Sequence, residues 1–222
     1  MKLTVFPLRP FAFKPNELNV METGSTIFYK QLVETFIGES EDTCLTNDEN
    51  EEVNGQKQIL WVGNPAFGID FDSLFLKPLT KSLLNYATDD AKVKLLDAQR
   101  EVSRLVLDAS FSMDVPLVVK DNLSLESIIK FVGLHLEMPP ADLICAKIEL
   151  LFKILQEISD SRLVVITDLS HFVDAQELAQ LVEQVTDSGL TVLLIEFSNT
   201  SRASEFKKCR YYYVDEDLVD FR

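Results

Sequence analysis

The chain has 222 residues, 46% of them hydrophobic, enough to fill the core of one large domain or of a domain with a sizeable insertion. A formal charge of −15, from 36 acidic against 21 basic side chains, argues against a protein that coats nucleic acid indiscriminately. The three cysteines, Cys44, Cys145 and Cys209, are far apart and form no CxxC, which excludes a disulfide framework and a zinc site and fits a reducing cytoplasm. Pro7 interrupts the N-terminus before a secretory apolar segment can form, and no later apolar run reaches the ~18 residues of a membrane span. A soluble, cytoplasmic protein with no membrane partner is expected.

Val5, Phe6, Phe11 and Phe13, broken by Pro7, Pro10 and Pro15, predict short edge strands, because proline cannot donate to a central ladder. A strand over 18–21 follows, and then a helix over 25–37 stopped by Gly38. Between Glu39 and Glu52 stand seven acids, Glu39, Glu41, Asp42, Asp48, Glu49, Glu51 and Glu52, with no basic residue, which predicts a solvated mobile loop. Residues 58–62 form a compact apolar strand ending at Gly63.

From 70 to 107 the apolar residues Leu79, Leu83, Leu84, Ala87, Ala91, Leu95, Ala98, Val102 and Leu105 recur at spacings of three and four, which predicts one long helix or two in tandem. Lys77, Lys81, Lys92, Arg100 and Arg104 lie mostly off that stripe. A shorter helix has Ser124 as N-cap, Ile128, Ile129 and Val132 on its inner face and Gly133 as its stop. With only a weak strand signal at Leu134-His135-Leu136, this block reads as a helical projection inserted into an α/β body.

After Met138-Pro139-Pro140 an alternating pattern returns. A helix over 141–158 leads to a strand over 163–167; the capping box at Asp174 opens a helix ending at Gly189; strands over 191–196 and 211–214 follow. Strands this uniformly apolar, joined by amphipathic helices, belong to a parallel sheet covered on both faces. The domains implied are a head in two parts, 1–66 and 138–222, around a helical leg over 67–137. No internal repeat is present.

Leu18 to Lys30 runs from strand to helix through Gly24-Ser25-Thr26, where a nucleotide-binding loop would sit. A phosphate cradle needs several converging backbone N–H groups and a lysine that reaches the outer phosphates. Here Gly24 stands alone and Lys30 falls inside the helix, so a simple strand-to-helix turn competes with a phosphate scaffold that no longer does the chemistry. Asp168 ends an apolar strand, as does the carboxylate that holds magnesium in active NTPases, but it is equally an ordinary loop residue. His135 and His171 have no paired spacing, and no GxSxG elbow exists, which leaves no metal ligand pair and no hydrolase triad. Asp90-Ala91-Lys92 and Glu205-Phe206-Lys207 have a carboxylate-x-lysine form, which solvated helix faces explain better than a nuclease site.

Positive charge is segregated within the acidic chain. Residues 77 to 104 hold six basic side chains, Lys77, Lys81, Lys92, Lys94, Arg100 and Arg104, against four acids, Asp89, Asp90, Asp97 and Glu101. Residues 202–210 repeat the surplus with Arg202, Lys207, Lys208 and Arg210 against Glu205. Lysines and arginines on one helix face can neutralise phosphates without reading bases. Interspersed acids make an ordinary solvated helix the competing reading.

Ile59-Leu60-Trp61-Val62 through Phe67-Gly68-Ile69-Asp70, then Asp121-Asn122-Leu123-Ser124 through Leu136-Glu137, then Leu163-Val164-Val165-Ile166, Thr191 to Glu196 and Tyr213 to Asp217 share their order and approximate spacing with a known family. In these segments the chain resembles the Csn-type adaptation protein of type II-A CRISPR systems. The likeness covers most of residues 18 to 217 and rests on many moderate matches rather than one invariant motif.

The resemblance implies a head with a degenerate P-loop NTPase-type α/β fold lacking a functional phosphate loop, and a helical leg. It also implies a homotetrameric ring that holds the ends of double-stranded DNA during spacer acquisition, beside the CRISPR integrase complex and the effector nuclease. No nucleotide hydrolysis is expected. The DNA contacts are expected among Lys77, Lys81, Lys92, Arg100 and Arg104. Calcium is the implied cofactor, at Asp121, Glu137 and Asp142, with Asp114 as a further position. Val115-Pro116-Leu117-Val118-Val119-Lys120 is apolar where relatives are rich in acids, so fewer ions than usual are expected. Two other readings stay open: an active nucleotide hydrolase with an unusual loop, and an acidic adaptor that engages a basic partner through 39–52 and 215–220.

Overall fold

The structure, a computed structural model, describes the chain apart from residues 40–42, 48, 50, 54, 121–123 and 222 and the side chains of residues 55 and 56. In chain order the elements are β1 (Lys2–Val5), β2 (Phe11–Ala12), β3 (Leu18–Thr23), α1 (Thr26–Ile37), β4 (Thr43–Thr46), α2 (Gly55–Gln58), β5 (Ile59–Gly63), α3 (Phe71–Tyr86), α4 (Asp89–Ser110) and α5 (Leu125–Phe131). Then come α6 (Ile144–Glu157), β6 (Leu163–Thr167), α7 (Ala175–Ser188), β7 (Thr191–Phe197), β8 (Arg210–Val214) and β9 (Asp220–Phe221). They divide into two compact units, Met1–Ile69 with Met138–Arg222, and Asp70–Glu137.

The first unit is built on a sheet of order β5-β6-β7-β3-β8-β9, parallel except for β9. Its central strands are buried, β3 and β6 along their whole length and β7 except at its two end residues, and they carry the buried polar residues Asn19, Glu22, Thr23, Thr167 and Glu196 among apolar ones. Met21, Val165, Leu193 and Ile195 pack in a cluster with Phe28, Leu32 and Phe36 of α1 and with Leu3, Val5, Phe11 and Leu45. The alternate residues Val20, Val164, Ile166, Val192 and Leu194 are also buried. α7 packs against β3, and α6 against α7. Because β3 comes first in sequence among the parallel strands yet lies between β7 and β8, the chain reverses its direction of travel across the sheet there. In open α/β sheets the C-terminal strand ends at such a switch point are where ligands bind.

Three expectations for this unit change. β1 is the centre rather than the edge of its own antiparallel sheet, order β2-β1-β4, because Pro7 falls just beyond its last paired residue. The acidic stretch contains β4, whose Thr43-Cys44-Leu45-Thr46 alternates a buried leucine with β-branched residues and pairs with all four residues of β1; Glu41, Asp42 and Asp48 of that stretch lie outside the described residues. A short antiparallel strand, β9, follows β8 inside the acidic C-terminal segment.

The second unit contains α3, α4 and α5. Thr88 caps α4 through its hydroxyl and separates it from α3, so the long periodic stretch is two helices. Ser124 caps α5, and Ile128 and Ile129 are buried, but Val132 lies outside the helix, 67% exposed. Residues 134–136 form no strand.

α7 carries the most complete cap. Asp174 accepts from the amides of Gln176 and Glu177 at 2.8 Å, while the Asp174 amide donates to Glu177 at 2.8 Å. Asp174→Ala is expected to cost about 1 kcal/mol of stability, read as a lowered urea midpoint with an unchanged m-value.

Candidate functional site

The passage from β3 into α1 has the outline of a phosphate loop, but three of its donors are already engaged. Gly24 N–H donates to the Val214 carbonyl at 3.0 Å, Ser25 N–H to Thr23 Oγ1 at 3.0 Å and Phe28 N–H to Ser25 Oγ at 3.3 Å. The space over Gly24 is filled as well: an added Cβ there would lie 3.3 Å from the Ser198 carbonyl oxygen and 3.4 Å from the Tyr213 hydroxyl. Lys30 pairs with Glu34 on the exposed side of α1, at 3.3 Å. The cradle is closed by its own chain.

At the same strand ends the fold buries two carboxylates side by side. Glu22 of β3 and Glu196 of β7 are registered partners in the parallel ladder, and neither side chain reaches solvent. Arg202, from the β7–β8 connection, answers both, with Nε 2.6 Å from Glu22 Oε1 and a terminal nitrogen 3.3 Å from Glu196 Oε2. Its other terminal nitrogen donates to Ser170 Oγ at 2.9 Å, and that hydroxyl donates to Glu196 at 2.6 Å. The Tyr211 hydroxyl donates to Glu22, and the guanidinium lies 5.7 Å from the centre of the Phe206 ring.

Burial pushes the Glu196 carboxyl up, overriding the opposing Ser170 hydrogen bonds and the Arg202 charge. Burial opposes the Arg202 charge, but the hydrogen bond and charge of Glu22 prevail and hold its pKa above the ordinary value. Burial, and then the hydrogen bond to Glu22, raise the Tyr211 phenol. One strand away Asp168, in a left-handed backbone conformation with φ 55°, accepts from the Tyr29 hydroxyl at 2.8 Å. Burial first, then Asp168, raise the Tyr29 phenol. Each polar group at this edge is thus spent on another part of the chain, and two buried carboxylates would repel a polyphosphate.

The second candidate is the cationic surface of the second unit. Lys77 and Lys81 are one helical turn apart on α3 and line a groove of about 820 Å³ together with Leu76, Ile129 and Lys130, and the carboxylates of Asp72 and Glu126 line it too, leaving a surplus of one positive charge. Among the described residues no ion pair involves Lys77, Lys81 or Lys130. The cations of α4 are engaged. Arg100 pairs with Asp97 at 2.7 Å, Arg104 with Glu101 at 2.7 Å and Asp108 at 2.9 Å, and Lys92 lies 3.8 Å from Asp89. The structure therefore separates the five basic candidates into two on α3, joined by Lys130, and three on α4 beside carboxylates.

Asp114 and Glu137 are exposed in the second unit, Asp142 is exposed in the first, and Asp121 lies outside the described residues. No group of three or more His, Cys, Asp or Glu side chains is placed to hold an ion among the described residues, whereas calcium takes six to eight oxygens.

Sequence reading misses Glu22, Glu196, Arg202 and Lys130. The two glutamates have a visible signal, a single acid near the end of an otherwise apolar buried strand. Arg202 shows in the sequence only as one of the basic residues of 202–210, because a guanidinium in an irregular connection reveals its buried partners only once the sheet order is known.

The chain is a mixed α/β protein with a mainly parallel sheet, whose strand–glycine–helix passage has the Gly24, Ser25 and Phe28 amides engaged within the chain. The family model for the CRISPR-associated protein (Cas_Csn2) matches residues 37–218, and the chain belongs to that family. It is thereby a CRISPR-associated adaptation protein. The crystal structure of Stu0660 of Streptococcus thermophilus is similar over 100% of this chain and 76% of that one, with 12% identity and a TM-score of 0.60. An ATP-binding cassette of an ABC transporter, MJ1267 in its ADP conformation, aligns over 96% of this chain and 84% of its own at 10% identity, with a TM-score of only 0.44. No curated protein matches the sequence. Among the described residues no helix is long and apolar enough to cross a membrane.

Arg202→Ala leaves two buried carboxylates without their cation and is expected to cost roughly 3–5 kcal/mol near pH 7.5. A buried carboxyl whose folded pKa is raised adds stability below its unfolded pKa and loses it as pH rises through the folded value. The deficit relative to wild type should therefore shrink toward pH 5 and grow toward pH 8, measured by urea titration at each pH.

Proposed function

We propose that the chain is a non-catalytic subunit of a homotetrameric ring that binds double-stranded DNA ends without base readout. In that role it assists spacer acquisition beside the CRISPR integrase complex and the effector nuclease. The observation that carries this reading is the trio Lys77, Lys81 and Lys130, cations left without carboxylate partners among the described residues of a chain of charge −15. Unpaired ammonium groups can neutralise phosphates at no cost in broken ion pairs, and release counterions as they do so. Arg100 and Arg104 must first part from Asp97, Glu101 and Asp108, so their contribution is smaller. The closed cradle supports the absence of nucleotide turnover.

Copies are needed because one acidic chain offers few cations, whereas several copies can gather theirs around one opening. The large apolar side chains exposed on the second unit support association: Tyr86, Val102, Leu105, Val106, Phe111 and Val118 are each about half exposed or more.

Lys77→Glu, Lys81→Glu and Lys130→Glu together are expected to weaken linear-duplex binding by on the order of 10-fold or more and to flatten its salt dependence, with the sizing profile unchanged. The paired change Arg100→Gln with Arg104→Gln should do less. Equal affinity for linear and closed circular duplex would remove end capture from this reading. Sizing with and without a calcium chelator tests the ion: dissociation on chelation places calcium in the assembly, and an unchanged profile takes it out.

A further inference from the structure

The groove of about 820 Å³ beside α3 and α5 is more than a row of lysines. Its floor is apolar: Leu76 and Pro78 come from α3, Ile129 from α5 and Leu134 from the chain just after it. Ile129 is buried, Leu76 and Pro78 are half-buried, and Leu134 is 40% exposed. The volume falls in the range of pockets that enclose small ligands and peptide anchors, roughly 300–1,000 Å³.

The charges around this floor are of two kinds. The acids are committed to their own chain. Asp72 accepts from the Leu136 amide at 3.1 Å, while the Glu126 amide, and then the Ser124 hydroxyl, hold the Glu126 carboxyl below the usual carboxylate range. Lys77, Lys81 and Lys130 are exposed and enter no ion pair among the described residues. The charge left to offer a partner is therefore positive, at the rim of an apolar floor. A duplex can answer the rim with phosphates, but its outer surface brings nothing apolar to cover Leu76, Pro78 and Leu134. A polypeptide segment brings both kinds of group.

We propose that this groove docks a short acidic segment of a partner protein, with apolar side chains on the floor and Asp or Glu side chains over Lys77, Lys81 and Lys130. Lys77 and Lys81 are roughly 6 Å apart along the helix axis, four residues at 1.5 Å each. Carboxylates one turn apart on a partner helix match that interval, as do carboxylates two residues apart on an extended segment. The floor contacts stand apart from the DNA reading above, but the lysines are shared with it. Segment and duplex therefore compete for the same ammonium groups.

The test starts with selection of a displayed library of random dodecapeptides on the full chain. Enriched peptides are then synthesised and their binding read by fluorescence anisotropy, with circular dichroism to confirm that each variant folds. The expected sequences combine Leu, Ile, Phe or Met with several Asp or Glu residues. Leu134→Ser, and Leu76→Gln as a second floor variant, should each weaken the peptide by about 10-fold and leave linear-duplex affinity within about 2-fold. Lys77→Glu with Lys81→Glu should weaken both ligands by about 10-fold or more, and excess peptide should displace labelled linear duplex. No enrichment, enriched sequences without acids, or peptide binding that neither floor variant changes overturns the docking site and leaves the DNA reading in place. Peptide and duplex bound together at saturation overturn the shared use of the lysines. Peptide binding as expected to a chain that binds no duplex overturns the DNA reading alone.

Discussion

The bridge from Arg202 to Glu22 and Glu196 decides what the head of this molecule can be. Two carboxylates at registered positions on adjacent parallel strands, both withdrawn from water, are tolerable only with a cation between them. The chain supplies that cation from the β7–β8 connection, and the same connection lays Ser198 and Asn199 over Gly24. One guanidinium therefore does two things. It balances the charge at the switch point of the sheet, and it holds down the segment that closes the phosphate cradle. Phe206, stacked on Tyr211 with ring centres 5.7 Å apart, pins the far end of that segment. The energetic logic is one of avoided cost: a buried ion triad adds little net stability against an apolar core, but losing its cation is severe.

Much of this is legible in the residues. β6 and β7 announce themselves as apolar runs, β3 as a short strand before Gly24, α1 and α7 by their caps, and the split between head and helical unit by the change of period after Asp70. What cannot be read follows from non-local pairing. β4 hides in an acidic stretch because four residues gain strand character only when β1 lies beside them. Glu22 and Glu196 look like strand-end residues until the sheet order places them side by side. Lys130 looks like a surface residue of a short helix, and becomes part of a site only because α3 brings Lys77 and Lys81 to the same groove.

The helical unit shows the opposite limit. The spacing of α4 is clear in the sequence, and the usual meaning of such a stripe is a buried face. Here the helix carries three faces: one on its own unit, one apolar and exposed at Ala98, Val102, Leu105 and Ala109, and one made of Asp97, Arg100, Glu101, Arg104 and Asp108 in intrahelical pairs. Periodicity reports that a face is apolar, not whether the covering surface belongs to the same chain. Likewise a count of basic residues overstates their reach, because three of the five candidate cations have carboxylate neighbours one turn away.

These features form one argument about where function can reside. At the switch point of the sheet the polar side chains of Glu22, Glu196 and Arg202 are engaged with one another, which supports the proposed absence of nucleotide turnover. What remains open is surface, and the surface is uneven in a chain of charge −15: three lysines on one groove, unpaired among the described residues, and an apolar heptad line on one helix. The first is the surface on which the proposed phosphate contact rests. Binding by phosphate contact alone gains with the number of cations presented together, so the assembly proposed above is also what would make so few lysines per chain sufficient.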